Sequence, residues 1–151
     1  MAEPRAARRL SAATRRAQRL LLGGLIGGHA AAALAVLGFL LARGPASGLS
    51  AVIAAGATLV FYTIGLAVQV AVADAAPKRV LGASMASYLV RVSVFGVLLG
   101  LALTHADAVA WVDEVAVVVA TIATVIGWLA AEAWVHAHLR IPVYDTDDDV
   151  G

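Results

Sequence analysis

Four long apolar runs dominate the chain, at residues 20–42, 49–73, 80–104 and 115–135. Each has at least about 20 residues, the length a helix needs to cross the hydrocarbon core of a bilayer. Short breaking segments separate them. Residues 43–48 hold Gly and Pro and predict a compact turn, and residues 74–79 turn at Pro77. Short connections make consecutive helices neighbours of opposite direction. The pattern therefore predicts an all-α polytopic membrane protein, an antiparallel bundle of four transmembrane helices. A basic N-terminal arm (1–19) precedes the transmembrane domain (20–137), and an acidic tail (138–151) follows it.

Within the runs, polar residues fall into stripes. The third run carries Ser84, Ser87, Tyr88 and Arg91, spaced so that all four share one helical face. The second carries Thr58, Tyr62, Gly65 and Gln69, and the fourth Thr121, Thr124, Trp128 and Glu132. Turning the stripes inward satisfies them against each other rather than against lipid. Arg91 is the costliest member, because a guanidinium near the bilayer centre is disfavoured by a few kcal/mol or more unless it faces protein or water. Glu132 is its natural partner. Side chains lean toward the N-terminus of their own helix, so in oppositely directed helices these two lean toward each other across an axial gap of up to about two turns. Asp74, at the end of the second run, is the second candidate. A buried pair that fixes helix register, a docking point for a partner subunit or ion, and an arginine snorkelling to the interface all remain open.

Small residues recur at four-residue spacing. Gly23, Gly27, Ala31 and Ala35 form one row on the first helix and Gly24, Gly28 and Ala32 a second, with Gly96 and Gly100 on the third. Such rows allow close approach of helices, within the bundle or toward another subunit.

Composition narrows the class further. Of 151 residues, 62% are hydrophobic and 14% charged, where a soluble domain carries nearer a quarter. No globular domain fits outside the apolar runs. The absence of cysteine excludes disulfides and thiolate metal sites. Charge is unevenly placed: Arg5, Arg8, Arg9, Arg15, Arg16 and Arg19 in the arm, Lys78 and Arg79 in the second connection and Arg140 in the tail lie to one side. Arg43 lies to the other, where Asp107, Asp113 and Glu114 make the third connection acidic. The positive-inside rule then puts both termini in the cytoplasm. The first run exceeds the apolar core of about 7–15 residues of a signal peptide, so it reads as an uncleaved helix. The arm's arginines form a one-sided stripe, which suits either a helix lying on anionic lipid or a simple topology signal.

Catalytic and metal signatures are not apparent. His136 and His138 are two apart, unlike an i, i+4 ligand pair. His29 is a lone intramembrane histidine expected to bond within the bundle, and His105 lies in a connection. No glycine-rich phosphate loop precedes a helix. The expectation is a protein without catalysis, metal, cofactor or nucleic-acid partner.

Several segments resemble the ATP synthase protein I family, in its actinobacterial form. They are residues 57–69 with the short basic loop that follows, Tyr88-Leu-Val-Arg91 with its glycine-containing apolar continuation, and residues 117–136 with Gly127-Trp128 and Glu132, followed by Tyr144-Asp145. The likeness spans roughly 20–144. Members are small four-helix proteins often encoded beside rotary ATP synthase subunits, with a basic residue in the middle of the third helix, the place Arg91 takes here. The resemblance implies a bacterial plasma-membrane protein that helps assemble or stabilise the synthase c-ring, with c subunit and membrane lipid as partners. A role in magnesium supply is also implied. Two alternatives stand beside it: a small magnesium carrier working as a homo-oligomer, and a structural or lipid-binding accessory of another membrane complex. A magnesium path needs several oxygen ligands, and Glu132 and Asp74 are few, with Arg91 opposing a cation.

Overall fold

The computed structural model describes residues 11–139. Four long helices, α1 (Ala12–Arg43), α2 (Pro45–Val72), α3 (Pro77–Thr104) and α4 (Glu114–His138), account for most of it, with one 3₁₀ turn at Ala106–Val109. All four are long and apolar enough to cross a membrane, with mean hydropathy of 1.9 to 2.1 in their most apolar stretches. The protein is all-α, and we read it as a multi-pass membrane protein.

The helix boundaries follow from local chemistry. Ser11 caps α1, its hydroxyl accepting from the Thr14 amide at 3.0 Å. From there α1 continues unbroken through Arg15, Arg16 and Arg19 into the apolar run. The described part of the basic arm is thus the opening of a membrane-length helix. Arg5, Arg8 and Arg9 lie outside the described residues, as does the tail beyond Leu139. Where the sequence suggests a six-residue turn, the chain reverses at one residue. Gly44 takes φ +89°, which a side chain would disfavour, and its amide bonds the Leu40 carbonyl at 3.2 Å. Pro45 then opens α2 at once, in a first turn that needs no proline amide. Pro77 opens α3 in the same way.

Three helices form the core. Helix α1 packs on α4 and α2, and α2 packs on α4. Among the described residues helix α3 touches only α2 and the short turn that follows it, and has no buried residue. The four expected helices are all present, and within them α1, α2 and α4 form a three-helix unit to which α3 is attached through α2.

Glycine explains the tight half. Any Cβ at Gly27 would fall on the Gly127 carbonyl and the Ala131 side chain, and one at Gly127 on Ala31 and the Gly27 carbonyl. Backbone meets backbone here. On either side of this crossing Gly23 meets Val135, and Gly24 and Gly28 make room for the indole of Trp128, which is fully buried. Alanines 32, 51, 54, 55, 116 and 120 form the rest of the buried core. Without a hydrophobic drive between helices in lipid, such close contact supplies the dispersion that holds them.

Polar clasps tie the helix ends. Asp113 caps α4 through the Ala116 amide at 3.1 Å, accepts from the Ser47 hydroxyl and pairs with Arg43 at 3.1 Å, while its own amide bonds the Ser50 hydroxyl at 3.0 Å. The Ser47 bond holds the Asp113 carboxyl below its ordinary range; burial opposes this, and the Ala116 amide and Arg43 add to it. At the opposite end Asp74 accepts from Ser11 and from the Thr14 hydroxyl, at 3.0 Å for the latter, joining the start of α1 to the end of α2.

Candidate functional site

Because α3 and α4 both pack on α2 but not on each other, a gap runs between them. Its cavity of about 390 Å³ is floored by Thr58, Phe61 and Tyr62 and walled by Phe95 on one side and Thr121 and Val125 on the other. Phe61 and Phe95 meet edge to face at 5.4 Å, and Tyr62 packs on Trp128 at 5.4 Å. Apolar rings line the floor, with the hydroxyl-bearing side chains of Tyr62 and Thr121 among them.

Arg91, on α3, rests against the next turn of α2. Gly65 makes its seat: a Cβ there would collide with the guanidinium. Its Cζ sits 4.4 Å from the centre of the Phe61 ring, a cation–π contact that gains strength away from water. Arg91 donates through Nη1 to the Phe61 carbonyl at 2.7 Å and through Nε to the Ser87 carbonyl at 3.1 Å. The guanidinium has more N–H groups than these, and among the described residues no carboxylate pairs with it.

Glu132 lies one step further still, in a cleft of about 510 Å³ with Leu20, Leu66, Gln69, Leu129 and His136. It makes no hydrogen bond or ion pair among the described residues. The structure thus does not join Arg91 to Glu132. Nor does Asp74 serve Arg91, since its carboxylate holds the α1 cap.

The other sequence candidates divide plainly. Ser87 supplies a carbonyl to Arg91, while its own buried hydroxyl oxygen has no partner among the described residues. Tyr88 is 56% exposed, on a helix with no buried residue, and Ser84 is half-buried. Thr58 and Thr124 bond carbonyls of their own helix, at 2.8 and 2.7 Å. Gly96 and Gly100 face open space with no neighbour within 4 Å among the described residues, so of the expected glycine rows those on α1 are the ones that pack within the described part of the chain. Arg15, Arg16 and Arg19 are exposed on the first turns of α1, and Arg16 reaches His136 at 3.4 Å. His29 bonds the Leu25 carbonyl of its own helix at 2.7 Å rather than a neighbouring helix. Among the described residues no group of three or more His, Cys, Asp or Glu could hold a metal ion.

Sequence reading missed Phe61 and Phe95, which look like ordinary apolar residues, and the clasps of Asp113 and Ser11. Both clasps carried a signal, a capping residue just ahead of an apolar run. Compared with known proteins, the chain matches no family model, no curated protein and no solved structure.

Proposed function

We propose that this protein is a non-catalytic membrane accessory that assists assembly or stability of a rotary ATP synthase c-ring. In this reading it holds a helix of the c subunit in the gap between α3 and α4. One observation carries the holding role: within apolar helices, among the described residues, Arg91, seated against Phe61 of the gap floor, has no carboxylate partner, and Glu132, in the cleft along the same α2, has no hydrogen bond or ion pair. Ionisable groups so placed are costly against acyl chains and are satisfied when protein covers them. The identity of the client comes from the resemblance of residues 57–69, 88–91 and 117–136 to the ATP synthase protein I family. The placement in a bacterial plasma membrane with cytoplasmic termini is part of the same proposal. It is supported by the basic residues of α1 and the start of α3 and by the acidic Asp107, Asp113 and Glu114 of the opposite connection.

The test is co-purification in mild detergent of the C-terminally tagged protein, with Thr121→Trp alongside to fill the gap. Wild type should recover c subunit and the variant should lose it while keeping its own melting temperature. Wild type that recovers no synthase subunit overturns the proposal.

A further inference from the structure

Arg91 and Glu132 both lie against α2, Glu132 somewhat further along it. Helix α2 is the ruler: Arg91 rests on Gly65 and bonds the Phe61 carbonyl, and Glu132 shares its cleft with Leu66 and Gln69. Those positions lie within about two helical turns of each other. The two charges face the same α2 from different sides, with α3 and α4 out of contact between them. Helix α3 is also the element freest to shift, for it is held through α2 and joined to the core by short connections at residues 73–76 and 105–113, the second containing only the 3₁₀ turn.

We infer that α3 closes onto α4, and that Arg91 then exchanges the Phe61 carbonyl for the Glu132 carboxylate. The open form described above and the closed form are two packings of one chain. Each satisfies part of the guanidinium: in the open form by a carbonyl and an aromatic face, in the closed form by the opposite charge. Closure fills the 390 Å³ gap with Phe95 moving toward Thr121 and Val125. A switch of this kind needs two discrete arrangements separated by a small free energy. Gly65 serves it, since the guanidinium leaves an open seat without disturbing any side chain of α2 at that point. The inference concerns the chain alone and stands whether or not the client is a c subunit. If the gap is the client's seat, closure is what the empty protein does with it.

The chain has no cysteine, so spin labels can be placed freely. Leu99→Cys on α3 and Val118→Cys on α4, both exposed, report the α3–α4 separation in lipid nanodiscs by pulsed dipolar spectroscopy. Leu34→Cys with Val118→Cys reports α1–α4 as a control. Glu132→Gln should remove the shorter α3–α4 distances and leave the control unchanged. The exchange of charges, Arg91→Glu with Glu132→Arg, should restore them. An α3–α4 distribution that Glu132→Gln does not alter overturns the inference, as does one that the exchanged pair fails to restore.

Discussion

The α1–α4 and α2–α3 interfaces both rest on glycine, but to opposite effect. At Gly27 and Gly127 each glycine makes room for the other helix's carbonyl. Backbone cannot step aside, so the contact is fixed. At Gly65 the space is taken by the end of a long flexible side chain, Arg91. That end can leave, so the contact is adjustable. The first interface belongs to a rigid three-helix unit. The second attaches a helix that buries nothing of its own. Small residues in a membrane helix therefore say where something approaches closely, and the nature of the approaching atoms says whether the contact can change.

Substitution separates the two. Gly27→Val must push helices apart and should cost about 3 kcal/mol, the upper part of the range for overpacking. Gly65→Val should cost about 1 kcal/mol, because Arg91 swings away. Gly38→Val, where nothing lies within 4 Å, should stay within about 0.5 kcal/mol of wild type. Denaturation in bicelles measures all three, and similar losses at Gly27 and Gly65 would remove the distinction.

A smaller effect comes from acid. The carboxyl of Asp113, which clasps α1, α2 and α4 at one end, has its pKa lowered chiefly by the Ser47 hydroxyl. The folded protein thus keeps it ionised to lower pH than the unfolded chain does. Its stabilisation is complete above the unfolded value of about 3.9 and is lost as pH falls through the folded one. Melting temperature should decline below about pH 4, and Asp113→Asn should show a shallower decline over that window. An unchanged slope in the variant would mean that the clasp contributes nothing.

Much of this architecture is legible in the sequence, and the parts that are not share a cause. The four apolar runs announce the helices because length and hydropathy are local properties. The rows through Gly23 and Gly24 mark a close-packed face for the same reason. Which helix would meet that face depends on Gly127 and Trp128, a hundred residues away, and no local pattern names them. Arg91 is conspicuous from its place in an apolar run, yet its seat on Gly65 and Phe61 comes from the pairing of α3 with α2. Pairing with Glu132 fails in this form because α3 does not reach α4, a fact of tertiary packing that stripe spacing cannot express. The Gly44 reversal is sharper than expected because one glycine at positive φ followed by proline needs no longer loop.

Photo-crosslinking in native membranes tests the central claim most directly, that the gap beside α3 receives another membrane protein. Benzoylphenylalanine is placed at Val125, on the wall of the gap, and at Leu34, on the exposed face of α1. The account predicts a discrete adduct from Val125 whose partner carries synthase c-subunit peptides, and only lipid adducts from Leu34. No protein adduct at Val125, or equal adducts at both positions, would contradict it.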